Sequence, residues 1–259
     1  MTSVTWSGGR RRLAVLLLAT LWLLLALTAC GGDADEPAGT PAAANAEPSP
    51  TPDPAAIMSR AADVMTELES AAFEITRNGG PAYIDAGQTL NFTSASGVFG
   101  SPGSIDGTLA VAASGAALEI GFISVGDNQY ITNPLNQQWE QLPADWGFDP
   151  AALFDPETGW RPLLQEDLSD ARLVGTSAFG GVERYRITAT AAGARVEAIL
   201  GGLAGKDAVE IEFFVDTETN QIVQMSFKTD SAGAEPAEWL LRFFNFNEPV
   251  TITEPQIGG

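Results

Sequence analysis

GTLAVAASGAALEIGFISVGDNQYIT, residues 107–132, alternates apolar with small or polar residues, and the alternation breaks only at Ser114-Gly115 and at Gly126-Asp127-Asn128. Successive side chains of a strand point to opposite faces, while short Gly, Ser, Asn and Asp clusters are turn signals. The stretch therefore predicts strands over Ile105 to Ala113, Ala116 to Val125 and Gln129 to Thr132, joined as an antiparallel meander. Upstream the same period runs through Phe73 and Ile75 and through Leu90 and Phe92, with NGG and SPG as breaks. Downstream it returns at Ala171 to Ser177, Val182 to Thr190, Ala208 to Val215, Gln221 to Thr229 and Glu238 to Asn247.

Two segments follow a helical period instead. Asp53 is placed to cap a helix with Pro54 in its first turn, and Ile57, Ala61, Val64, Met65, Leu68 and Ala72 share one face at 3.6-residue spacing. A second helix is expected over about Gly193 to Leu203, with Val196, Ile199, Leu200 and Leu203 on one face. Between them the alternation lapses around NPLNQQWEQLPADWGFDPAALFDPETGWRPLLQEDL, where Asp149-Pro150 and Asp155-Pro156 mark helix or turn starts. The expected class is α+β, one large curved antiparallel sheet with helices on one side.

Ahead of this domain, Arg10, Arg11 and Arg12 precede an apolar run from Leu13 to Leu27, then Thr28, Ala29 and Cys30, the single cysteine of the chain. A basic, an apolar and a small-residue region in that order form an export signal, and the apolar run is shorter than the roughly 20 residues of a spanning helix. Leu27-Thr28-Ala29-Cys30 resembles the bacterial lipobox, so residues 1–29 are expected to be removed and Cys30 to carry a diacylglycerol. Acyl chains hold a soluble domain on a membrane at about 0.8 kcal/mol per buried CH₂. Residues 30–54 then form an acidic Pro/Ala-rich tether too poor in large apolar side chains to fold. Residues 55–259 are read as one domain.

Composition excludes most chemistry. The chain has no histidine, and Cys30 is taken by the anchor, so Ser-His-Asp triads, Cys-His pairs and histidine acid/base catalysis are out of reach. The net charge of −20 becomes −23 once the three arginines are cleaved away, which repels nucleic acid and anionic headgroups. GGLAGKD at 201–207 departs from a phosphate-binding loop at Leu200 and Asp207 and follows a helix rather than a strand. Glu210 and Glu212 would lie about 7 Å apart on one strand face, within the range of an inverting glycosidase, yet solvated outer-face glutamates explain them, with Val209, Ile211 and Phe213 on the other face. DNQYITNPLNQ has oxygens for calcium in the wrong register. Trp139, Trp146, Phe148, Phe154 and Trp160 are read as packing onto the sheet, with a sugar platform as the other option.

One strand face pairs Leu109 and Val111, Leu118, Ile120 and Phe122, and Tyr185 and Ile187 with the small residues Ala113, Ala116 and Ala189. Such a face is either approached closely by a helix or leaves unfilled volume, and the pattern does not choose between them.

The order of lipobox, Pro/Ala tether, helix ending SAAFEIT, alternating sheet, YITNPLNQQWEQLP, FDPAALFDPETGWRPLL, VERYRITAT and NEPVTITEP resembles the LppX/LprAFG lipoproteins of the mycobacterial envelope. The resemblance implies a half-barrel of antiparallel strands, similar to the LolA/LolB carriers, whose concave face is roofed by helices around an apolar cavity. Leu109, Val111, Leu118, Ile120, Phe122, Tyr185, Ile187, Ile211 and Phe213 are the expected cavity residues. The implied role is a non-enzymatic carrier of acylated lipids, glycolipids or lipoglycans on the extracytoplasmic face of the membrane, with no cofactor and an envelope transporter or acceptor protein as a candidate partner. The alternatives are a structural or sensory lipoprotein with a closed core that binds a protein partner, and a carboxylate-dependent glycosidase.

Overall fold

Asp53 opens the first helix as its position predicts: its Oδ1 accepts a hydrogen bond from the Ala55 amide at 3.2 Å, Pro54 stands in the first turn, and α1 runs over Pro54–Thr66. The computed structural model describes residues 51–257 apart from 86, 143–151, 156, 201, 206 and 230–234. The helix stops before the spacing of its apolar residues does. Ser70 is claimed by the far end of the chain, donating its hydroxyl to the Glu248 carbonyl and accepting from the Asn247 amide, while the Glu69 amide donates to Asn247 Oδ1. Leu68 and Ala72 are buried as expected, but from the link after α1 and from β1 rather than from the helix.

The strands are β1 Ser70–Gly79, β2 Asn91–Gly100, β3 Ser104–Ala113, β4 Ala116–Val125, β5 Asn128–Thr132, β6 Trp139–Gln141, β7 Leu168–Phe179, β8 Val182–Ala191, β9 Val209–Asp216, β10 Ile222–Thr229 and β11 Ala237–Phe244. Three short helical pieces join α1: a 3-10 turn over Ala152–Phe154, α2 over Trp160–Gln165 and α3 over Gly193–Ile199. α3 is shorter than its apolar spacing suggests, because Leu200 leaves helical geometry and Leu203 falls in the following turn.

Among the described residues the strands form one open sheet in the order β6-β5-β4-β3-β2-β1-β11-β10-β9-β8-β7, antiparallel throughout. Neighbours in sequence pair within β1–β6 and within β7–β11, β6 and β7 stand at the two edges, and at the centre β1 takes β11 as its second partner. One face of the sheet and the helices share a single apolar cluster that includes Ile57, Met65, Trp160, Leu163, Val196, Ile211 and Phe243. The opposite face carries cross-strand ion pairs, Lys228 with Glu238 at 2.6 Å and Arg242 with Glu74 at 3.9 Å. Such exposed pairs add little stability each.

Gly97 and Gly107 face one another across β2 and β3, and on the same sheet face Gly97 opposes Phe73 while Gly107 opposes Phe122. A Cβ on Gly107 would stand 2.7 Å from Phe122 Cζ and 2.6 Å from the Ser96 carbonyl oxygen. The glycine thus clears room for the ring. Gly107→Ala is expected to cost about 1–3 kcal/mol by overpacking and to lower the Tm by about 2–4 °C per kcal/mol, as read by thermal unfolding.

Candidate ligand cavity

The helical pieces do not cover the inner face evenly. Over β8 to β10 they fit closely. Met65 of α1 meets the Ile222 amide with its sulfur at 3.3 Å, and Leu163 of α2 and Val196 of α3 stand with Ile211, Met225 and Phe227 around a void of only about 10 Å³. Over β1 to β5 and β11 the fit is looser and an apolar cavity of about 150 Å³ remains. Its floor is Phe73 and Ile75 of β1, Phe92 and Ala95 of β2, Leu109 of β3, Phe122 of β4, Ile131 of β5 and Trp239, Leu241 and Phe243 of β11. Leu153 and Phe154 of the 3-10 turn, Ile199 of α3, and Leu200 and Leu203 beyond it form the roof, with Tyr83, Ile84 and Leu142 at the edge.

Two physical statements follow from this lining. β5 and β11 are five inter-strand steps apart, about 24 Å on a flat sheet at about 4.8 Å per step, so a cavity that touches both requires the sheet to curl. A space of this size admits a small apolar group, on the order of a benzene ring. Ile123, Ser124, Gln129 and Tyr130 complete the lining on the β4–β5 side, so the cavity suits part of an alkyl chain along most of its wall and has a few polar groups at that side.

Both ways of dealing with a face of small residues therefore occur, one in each half of the sheet. Of the residues expected at the cavity, Leu109 and Phe122 line it, and Ile211 lines the smaller void. Ile187 and Phe213 are fully buried in the half the helices pack against, and Val111 and Ile120 are buried one alternation step beyond Leu109 and Phe122. Leu118 and Tyr185 are half-buried at the margin of the core. All occupy the expected face, but alternation identifies a face and not which part of it a helix covers. Trp239, Phe92, Leu241 and Phe243 were missed, although each lies in an alternating strand whose register would have placed it on this face.

The other candidates resolve into packing. Glu210 is solvent-exposed and Glu212 is paired with Arg186, so the two carboxylates do not act on a common point. Phe154 stacks on Phe99 with ring centroids 3.7 Å apart and meets Trp160 edge-on at 6.5 Å, and Trp160 is fully buried against Phe243 at 5.2 Å. These rings are core, not a sugar platform. Trp139 lies half-buried on β6, its ring within 3.0 Å of where a Cβ on Gly121 would stand, while Trp146 and Phe148 lie outside the described residues. DNQYITNPLNQ forms β5 and a hairpin tip in which Asn133 Oδ1 accepts from the Leu135 amide at 2.9 Å. The two glycyl and lysyl positions 201 and 206 of GGLAGKD, Asp149-Pro150 and Cys30 also fall outside the described residues.

The loop between β1 and β2 carries Tyr83 and Ile84 to the cavity edge, and Asp85 organises it. Its carboxylate accepts from the Leu90 amide at 2.7 Å, the Thr89 amide at 2.9 Å and the Thr89 hydroxyl at 2.8 Å, and these bonds, that from Leu90 foremost, hold its pKa below the ordinary value.

The profile of the LppX_LprAFG lipoprotein family matches residues 53–252. The crystal structure of LprF from Mycobacterium bovis is similar at a TM-score of 0.63 and 18% identity, covering 81% of this chain and 100% of that one. Lipoprotein LppX from Mycobacterium tuberculosis is similar at 0.55 and 18%, covering 77% of this chain and 97% of that one. At these identities the likeness is one of fold. No curated protein matches the chain in sequence.

Because the folded-state pKa of Asp85 is depressed, the order it gives the loop is present above the ordinary carboxylate value near 4 and is lost as the pH falls through the lower, folded value. Protection factors of the Thr89 and Leu90 amides, read by NMR hydrogen exchange, are expected to hold above that range and fall below it. The cavity itself is tested by contrast. Ala95→Phe adds a ring where volume is open and should leave the Tm of delipidated protein nearly unchanged, whereas Ile120→Trp overpacks a buried site outside the cavity and should cost about 1–3 kcal/mol.

Proposed function

This chain belongs to the LppX_LprAFG lipoprotein family, and from that we propose that it is a non-enzymatic envelope lipoprotein that binds an acyl chain of a lipid or glycolipid in the cavity and carries or presents it. The observation that carries the reading is the uneven roof. A pocket lined by Phe73, Ile75, Leu109, Phe122, Leu241 and Phe243 offers an alkyl segment dispersion and dehydration and little else. The volume of about 150 Å³ is that of one short segment, so a longer chain would use it as the seat for one end.

The reading places the protein on the extracytoplasmic face of a bacterial membrane. Cys30 would carry the lipid anchor after removal of residues 1–29, and residues 30–54 would hold the domain clear of the surface. The strongly acidic chain has no electrostatic affinity for anionic headgroups, so the acyl anchor would supply the membrane attachment. Among the described residues no helix is long and apolar enough to cross a membrane. The handing of lipid to a transporter or acceptor protein belongs to the same proposal.

Two measurements test it. Every described strand and helix lies within the compact unit Pro50–Gly259, so this unit carries its own core and serves as the soluble protein. Organic extracts of it, read by mass spectrometry, are expected to contain acyl lipid, and Ala95→Phe should yield much less at an unchanged delipidated Tm. Protein that neither carries lipid nor takes up an alkyl probe would leave the closed-core, partner-binding lipoprotein as the reading. In cell fractionation, Cys30→Ala is expected to move the protein from the membrane to the soluble fraction. Retention of that variant after a salt wash would overturn the anchor.

A further inference from the structure

Along β1, Phe73, Ile75 and Arg77 fall on the same face of the sheet, and the first two line the cavity. Arg77 continues the row, about 7 Å beyond Ile75 at the rise of a strand, on the side from which Tyr83 and Ile84 reach the cavity edge. Its residue exposure is 6%. A guanidinium so placed normally meets a carboxylate or several carbonyls, since its desolvation is costly. Here the Nε–H has no hydrogen-bond partner, and none of the ion pairs found among the described residues includes Arg77.

What Arg77 does meet is the cavity wall. Its guanidinium carbon lies 5.3 Å from the ring centroid of Trp239, its direct partner in the β1–β11 register. Trp239 is in turn held between Phe92 and Phe227, each with its centroid 5.8 Å away and nearly parallel, and its indole N–H donates to the Thr229 hydroxyl at 3.3 Å. The indole face offers a cation partial compensation and leaves the buried Nε–H without an acceptor. Burial pushes the guanidinium pKa below its ordinary value, and an arginine remains charged at neutral pH nonetheless. The result is a charged group with an unpartnered Nε–H that does not itself line the cavity but lies against Trp239, which does.

We propose that Arg77 is the headgroup-recognition residue of this cavity, and that the preferred ligand is an acyl lipid whose polar end is a carboxylate or phosphate, with the chain among Ile75, Phe92 and Trp239 and the anion on the Arg77 fork. The inference rests on the lipid-binding reading and narrows it to a ligand class. Planar bidentate pairing with an oxyanion is what a guanidinium does better than an ammonium, and beside an apolar wall the pairing is screened less than in open water.

The test uses the delipidated Pro50–Gly259 unit with dodecanoate, dodecyl phosphate, dodecan-1-ol and inorganic phosphate as calorimetric probes. Wild type is expected to bind the two anionic amphiphiles roughly tenfold or more tightly than the alcohol, the increment of a charged hydrogen-bonded pair, and to show no binding of inorganic phosphate. Arg77→Met keeps the length and apolar stem, removes the unpaired charge, and should fold with an equal or higher Tm while binding all three amphiphiles alike. Arg77→Lys keeps the charge without the fork and should retain only part of the preference. Equal wild-type affinity for dodecanoate and dodecan-1-ol, or a preference that survives in Arg77→Met, would overturn the role of Arg77 and leave the lipid-binding reading standing. Inorganic phosphate bound as well as dodecyl phosphate would make the site one for free anions and overturn the headgroup assignment. Failure to bind any amphiphile would overturn both readings together.

Discussion

The pairing of β1 with β11 is the contact on which the rest of the molecule depends. Every other strand pair in the sheet joins neighbours in sequence, so without this one the chain would be two separate meanders, β1 to β6 and β7 to β11, each with an unprotected edge in what is now the middle. The eight-residue register from Ala72 opposite Phe244 to Gly79 opposite Ala237 fuses them and sets three other features at once. It puts Phe73 beside Phe243 and Ile75 beside Leu241, which is the cavity floor, and it lays Arg77 against Trp239. The hydrogen bonds from Ser70 and Glu69 to Asn247 and Glu248 tie down the start of the same seam and end α1 early.

The cavity then follows from an imbalance of surfaces. The sheet offers a wide inner face, and among the described residues the elements that cover it are a helix of 13 residues, two of 6 and 7, and a 3-10 turn of 3. Where Ala189 and Ala191 shorten the side chains of β8, the helices come close and the core is dense. Where rings and branched aliphatics stand on β1, β2, β4 and β11, the 3-10 turn and the end of α3 rest on their tips and leave space between them. Leu153, Ile199, Leu200 and Leu241 border both the larger cavity and the small void beside it. Three of those four belong to the roof, so the free volume is governed by short helical pieces more than by the strands.

The strands and turns were legible because one face is buried and the other is wet, which imprints a period of two, and because SPG, SG and GDN sit where the chain must reverse. The end of α1 was not, since Leu68 and Ala72 continue the helical spacing by coincidence and are buried by a strand that returns about 170 residues later. The central pairing was illegible for the same reason: nothing local in SAAFEITRNG names AEWLLRFF as its partner. The site was half legible. Phase alone put Leu109 and Phe122 on the correct face, and it put Ile187 and Phe213 there equally, because covering is decided by helices whose placement has no local signature. Arg77 carried a signal that could have been read, a charge in phase with Phe73 and Ile75, and it stands out only once its neighbours prove to be apolar.

Charge and cavity pull in opposite directions, and their ranges differ. A net charge of −20 repels an anionic amphiphile over the Debye length, about 8 Å at physiological ionic strength, so Arg77 buried behind an acidic surface cannot steer such a ligand from solution. Its field is strong only inside, where water no longer screens it. Recognition arranged in this way requires the apolar part of the ligand to be engaged before the anion is felt. On the proposed reading the hydrophobic contacts among Ile75, Phe92 and Leu241 would supply capture, and the guanidinium would discriminate afterwards, through how long a ligand stays. In the proposed tethered arrangement that separation would have a physical use: the acidic chain would be repelled by the bilayer surface, while Arg77, the one buried cation among the described residues, would still distinguish one chain-bearing ligand from another.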